Sequence, residues 1–243
     1  MMPRSCWLPA CLCVWWLLLM LTGAQEQQRH SGCPPKMCGN LTISHPFWLK
    51  EIGAQRPCEG HSDFETTCQN NTLVLPSSVP LPWSFGFAIV DISYEERSLH
   101  VVDMGKLRLL QASNSCRMPM WNTSDKLGIP FRIDPVNQNL TMYNCTKASA
   151  ARRDDKELVE TRMRCGNESQ VYVRTEGSYG ETSTLEGCGA GVILPVLGGA
   201  NGEANASDYE RLIRDGFILR WGWEEHDRPL ARKFTRLNHV LSK

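Results

Sequence analysis

The sequence predicts a mainly β, disulfide-stapled fold with one or two short helices, arranged as two small extracellular modules. Three observations carry that expectation. The opening has the anatomy of a secretory signal. Eight cysteines remain once that signal is removed. Period-two alternation recurs along a chain rich in Gly and Pro.

Arg4 precedes an apolar run from Cys11 to Leu21, followed by Thr22-Gly23-Ala24 and the polar Gln25–Gln28. A basic start, a short apolar core and small residues at the exit describe a secretory signal, expected over 1–24. The run is too short for a spanning helix, which needs about 20 apolar residues. After Ala24 the longest apolar stretch is Val192–Leu197, so no anchor is expected in the mature chain.

Three of the 11 cysteines leave with the signal. Cys33, Cys38, Cys58, Cys68, Cys116, Cys145, Cys165 and Cys188 remain, an even set in an oxidising compartment, and so a disulfide framework. Their pairing is one of 105 and cannot be read from spacing. N-x-[ST] sequons begin at Asn40, Asn70, Asn122, Asn139, Asn144, Asn167 and Asn205. Asn144, beside Cys145, is the one whose surroundings look most enclosed. Lys+Arg and Asp+Glu are both 26, which gives no global field for nucleic acid or an anionic membrane.

A cysteine-rich region is expected over 30–146. Its entry, CPPKMCGNLTISHPFWL, should be disulfide-anchored, with Ile43, Phe47 and Trp48 inward, Asn40 outward, and His45–Leu49 running extended as an edge strand. His45 in this apolar block is expected to be packed rather than to act as a base. Phe87–Tyr94 alternates, Glu95-Glu96-Arg97 turns, and Ser98–Asp103 returns, which predicts a hairpin. Lys106 and Arg108 alternate with Leu107 and Leu109, placing both cations on one face of a strand. Asn139–Cys145 alternates again. Residues 147–164 are charged and lack Gly and Pro at 147–164, which suits a helix or solvated connector.

A second region is expected over 165–223, with strands at Gln170–Arg174 and Cys188–Leu197. A short helix should follow, capped at Ser207 or Asp208 and closed by Gly216. Phe217–Trp223 reads as a strand with Phe217, Leu219, Trp221 and Trp223 on one face. Trp48, Trp83, Trp221 and Trp223 are expected in cores. Residues 224–243 form a polar tail.

No HExxH, GxSxG or P-loop is present, no Cys/His spacing suits zinc, and no carboxylate pair stands out for glycoside hydrolysis, so no catalytic residue is assigned. Gly187-Cys-Gly-Ala-Gly191 lacks the last glycine of a nucleotide loop, and suits a bridged strand better.

Cys38-Gly-Asn-Leu-Thr-Ile-Ser-His-Pro-Phe-Trp-Leu49 resembles the CGN-x-x-I-x-x-PFW opening of the galacturonan-binding domain of plant wall-associated receptor kinases. It also resembles the version found in the leaf-rust-resistance-type receptor-like kinases. Arg56-Pro-Cys58, Phe64–Cys68, Ile92–Asp103 and Asn137–Thr146 continue the likeness in order. Cys188, Val192–Val196, Tyr209, Leu212 and Gly216–Trp221 resemble the family's C-terminal module. The family then continues into a cysteine-rich segment, a membrane helix and a kinase; here Trp223 leads into a cysteine-free polar stretch. The resemblance implies a secreted or truncated form of an ectodomain whose relatives are single-pass membrane proteins.

It also implies an acidic cell-wall polysaccharide, pectin or galacturonan, as partner. Carboxylates on such a chain call for Arg or Lys, with Ca²⁺ bridging to pectin as the one ion to consider. Arg97, Lys106, Arg108, Arg117, Lys126 and Arg132 are the candidate contacts. The alternative is a protein-interaction or peptide-sensing ectodomain, with other receptor ectodomains as partners and no sugar affinity.

Overall fold

The computed structural model describes residues 33–50, 60–79, 85–111, 118–119, 121–146, 158–165, 169–176, 185–198 and 202–222. The expected signal peptide, Cys58, Trp83, Cys116, Arg117, Asn167, Trp223 and the expected polar tail lie outside these residues.

The expected β-rich architecture is present, with two short helices. Thirteen strands are described. β1 (Lys36–Cys38) and β2 (Leu41–Ile43) form a hairpin. Cys38 bridges to Cys68, which pins that hairpin to β4 (Glu65–Gln69). Gly39 turns it with φ 58, and a Cβ there would meet the Asn71 carbonyl at 2.5 Å. Of the expected edge strand only β3 (Trp48–Leu49) forms, pairing parallel with β4, while His45 and Pro46 lie in a turn. Next come β5 (Thr72–Leu75), β6 (Phe87–Ser93), β7 (Ser98–Asp103), β8 (Phe131–Ile133), β9 (Gln138–Thr146), β10 (Val159–Arg164), β11 (Ser169–Glu176), β12 (Val192–Val196) and β13 (Phe217–Trp221). The helices are α1 (Met104–Gln111) and α2 (Tyr209–Asp215).

The larger sheet has seven strands in the order β3-β4-β5-β6-β7-β13-β8. The smaller has four, β10-β11-β9-β12. The sheets therefore exchange strands across residue 146. β9 precedes that position but pairs with β11 and β12; β13 lies far beyond it yet is inserted between β7 and β8.

Phe47 explains much of the first core. It is 1 % exposed, and its ring meets Phe64 edge-on at 5.3 Å and Trp221 at 4.9 Å. Such perpendicular aromatic contacts add about 0.5–1.5 kcal/mol each beyond their burial. Ile43, Trp48 and Trp221 are buried as expected, and the Trp48 indole donates to the His61 carbonyl. The second core gathers Leu140, Met142, Val171, Val173, Leu194, Leu212 and Ile213.

Several expectations need correction. His45 is exposed: Phe47 N donates to Ser44 O, closing a turn that throws the imidazole outward. The β6–β7 hairpin is present, but its register shifts between Ile89 and Asp91. This bulge leaves Val90 exposed and returns Ile92 and Tyr94 to the core side of Phe87 and Ile89. The charged run is neither helix nor solvated connector at its end. Val159–Arg164 is strand β10, and Thr161 is buried there, donating to Val171 O.

Cys145 bridges to Cys188, and Cys33 and Cys165 are half-cystines as well. The glycines beside Cys188 serve close packing. A Cβ on Gly191 would come within 2.8 Å of both the Thr141 and Tyr143 side chains. Helix α2 begins where expected. Asn205 accepts from Ser207 N in the turn leading into it, and Gly216 closes it with φ 79. No helix among the described residues is long and apolar enough to cross a membrane.

Candidate functional site

The expected pairing of Lys106 and Arg108 on one strand face does not occur, because both lie on helix α1. Met-Gly-Lys-Leu-Arg-Leu-Leu-Gln is mostly strong helix formers. Asp103 Oδ1 also accepts from the backbone N–H of Gly105 and Lys106 at 2.9 and 3.2 Å, satisfying the first turn. Two residues apart on a helix point in nearly opposite directions. Lys106 is buried and donates to the Trp121 carbonyl at 2.7 Å; Arg108 is exposed with its guanidinium 3.8 Å over the Phe85 ring.

Lys126 is buried too. Its ammonium donates to Asp103 Oδ1 at 2.6 Å and stands 4.7 Å from the Phe87 ring centre. Asp103 thus faces two ammonium groups, and its Oδ2 is buried without a hydrogen bond among the described residues. Burial lowers the Lys106 pKa to about 8, with repulsion from Lys126 adding to the fall and Asp103 opposing it. Neither lysine can reach an external polymer; this cluster joins α1, Trp121 and the end of β7.

Arg132 is exposed on β8, and Arg97 is exposed on the β6–β7 turn with φ 53. The Arg97 carbonyl accepts from Trp221 N at 3.1 Å. Strand pairing assembles a row on the outer face of the larger sheet. Ser93 pairs with Ser98, Ser98 with Arg220, and Arg220 with Arg132. Directly paired residues share a face, and strands lie about 4.8 Å apart, so the row crosses four strands in about 14 Å. The next row is Asp91, His100 and Ile218.

Arg220 was not among the sequence candidates. Its signal was present: Phe217, Leu219 and Trp221 alternate inward, so Arg220 must point outward. Its proximity to Arg132 rests on the insertion of β13 between β7 and β8, which local alternation cannot reveal.

The Arg220 Nε donates to Asp134 Oδ2. Asp134 is only 5 % exposed and its other oxygen accepts from Val136 N at 2.9 Å. Burial pushes its pKa up, but the Arg220 hydrogen bond, the Val136 N–H and the charges of Arg220 and Arg132 outweigh that and hold it below the usual carboxylate range. Asn137, fully buried, donates to Ile218 O at 2.8 Å and accepts from Ile218 N at 2.9 Å. The loop after β8 is thereby clamped onto β13.

Among the described residues no group of three or more His, Cys, Asp or Glu is placed to hold a metal ion. The sequons differ in environment. Asn40, Asn70 and Asn205 are exposed, Asn122 and Asn144 are half-buried, and Asn139 is completely buried. Asn122 Oδ1 also accepts from Ile193 N at 2.8 Å, bonding the loop before β8 to β12.

No curated protein and no solved structure matches the chain. Residues 33–103 match the family model described as wall-associated receptor kinase galacturonan-binding, from just before β1 to the last residue of β7. Over that segment, less than a third of the chain, the sequence is similar to the galacturonan-binding domain of the wall-associated receptor kinases.

Proposed function

We propose that this chain is an extracellular module that binds acidic cell-wall polysaccharide, pectin or galacturonan, as the ectodomain portion of a receptor-like kinase. The family match over residues 33–103 carries this reading. The disulfides and exposed sequons accord with passage through the secretory pathway. The second region, 165–223, is read as the C-terminal-type module of the same family, supported by Val192, Leu194, Val196, Tyr209 and Leu212 in one core. Galacturonan presents a row of carboxylates, which arginine forks suit better than point charges do.

Capture of the purified chain on immobilised polygalacturonate across a salt series tests the reading. Retention that weakens with salt, and competition by soluble polygalacturonate, are expected. A blank glycan screen alongside capture of a receptor ectodomain would replace this reading with the protein-interaction alternative.

A further inference from the structure

The outer face of the larger sheet gathers two arginines around one buried carboxylate, Asp134. Arg220 and Arg132 are direct cross-strand neighbours. Like charges in that position repel, and Asp134, which feels the charge of both arginines, offsets the repulsion. The surroundings also fix Arg220 in place. Asp134 takes its Nε, Asp134 is itself buried and bonded to Val136 N, and buried Asn137 clamps the same loop to β13 through both polar groups of Ile218. The Arg220 side chain nevertheless stays 47 % exposed, and Nε is the guanidinium atom that Asp134 occupies. A guanidinium gripped by Nε offers its two Nη groups as a preformed fork, the geometry that accepts a carboxylate by two parallel hydrogen bonds.

We propose that the Asp134-held Arg220, flanked by Arg132 across the β13–β8 pair, takes a carboxylate of a polyuronide chain lying across this sheet face. This rests on the polysaccharide reading above and deepens it by naming a site. Charge complementarity selects an anionic occupant, although Glu96 beside Arg220 and exposed Asp91 on the same face temper the field. The fork's geometry, more than net charge, therefore sets the affinity for each sugar, and successive carboxylates on a polymer make the contact multivalent. Arg97, on the adjoining turn, stands where the chain would continue. Both Arg132 and Arg220 lie outside residues 33–103, so this site depends on the strand exchange and not on the matched segment alone.

The test uses the purified chain and polygalacturonate. Arg220→Ala is expected to weaken binding about tenfold or more, the effect of losing a charge-assisted hydrogen-bonded pair. Arg220→Lys should lose nearly as much, because an ammonium cannot supply the fork. Arg211→Ala, which removes an exposed arginine on α2, should bind as wild type. Dicarbonyl footprinting read by mass spectrometry removes any dependence on variant folding. Polygalacturonate should protect Arg220 but not Arg211, and fully methyl-esterified pectin should protect neither. Wild-type binding with an unaffected Arg220→Ala, or equal modification of Arg220 with and without bound polymer, overturns the site while leaving the polysaccharide reading intact. Failure of the wild-type chain to bind any polyuronide overturns both.

Discussion

Lys106 lies buried beside Lys126, with Asp103 and, more weakly, Asp125 opposing the cost of burial. Its pKa falls from 10.5 to about 8, which corresponds to roughly 3 kcal/mol of cost for keeping it charged in the fold. Below pH 8 the folded and unfolded chains both hold the proton, and the full cost is present. Between about 8 and 10.5 the unfolded chain binds more protons, so stability rises with pH across that window. Lys106→Met keeps the stem and removes the charge. After allowing for the lost bond to Trp121 O, it should stabilise by about 2 kcal/mol at pH 7 and by progressively less from pH 8 to 10, in denaturant melts. A destabilised variant at pH 7 would contradict this. The sequence showed Lys106 as an exposed strand cation because alternation with leucines fits either period; Asp103, an N-terminal cap, was the overlooked signal. Asn139 offers a second check at this scale. Its sequon is read easily, but its side chain has no exposure, so glycopeptide mass spectrometry should find Asn40, Asn70 and Asn205 occupied and Asn139 bare.

Gly216 ends α2 and starts β13 with φ 79, and a Cβ there would lie 2.2 Å from the Val101 carbonyl oxygen on β7. Gly216→Ala therefore meets both backbone strain and a backbone clash, and should cost about 3 kcal/mol. In a thermal melt that is a midpoint lowered by roughly 6–12 °C; an unchanged midpoint would refute the close approach. Elements with a complete local pattern were legible in this way: the β6–β7 hairpin, β9, β11, β12, α2 with its glycine, and β13. Where the pattern was broken or masked, reading failed. The bulge at Val90 reverses the phase of β6 midway. In β10, Val159, Thr161 and Met163 alternate with Glu160, Arg162 and Arg164, but the surrounding charge hid a period of two.

Whole-molecule organisation was legible only as two regions of different composition, because alternation identifies strands without naming their partners. The exchange of β9 and β13 between the regions has a direct consequence. A fragment of residues 33–103 alone would leave the β7 edge without β13 and the Phe47 ring without Trp221. Such a fragment should show fast amide exchange and rapid proteolysis, while a chain running through Trp221 should be protected; a protected fragment would show that the matched segment folds unaided. The same exchange brings Arg220 beside Arg132, joining fold to proposed function. Calorimetric titration of the purified chain with galacturonate oligomers tests that function most directly. Saturable binding that is abolished by methyl-esterification of the sugar carboxylates is the expected result; no heat of binding to any length of oligomer, with the chain folded and disulfide-bonded, would contradict it.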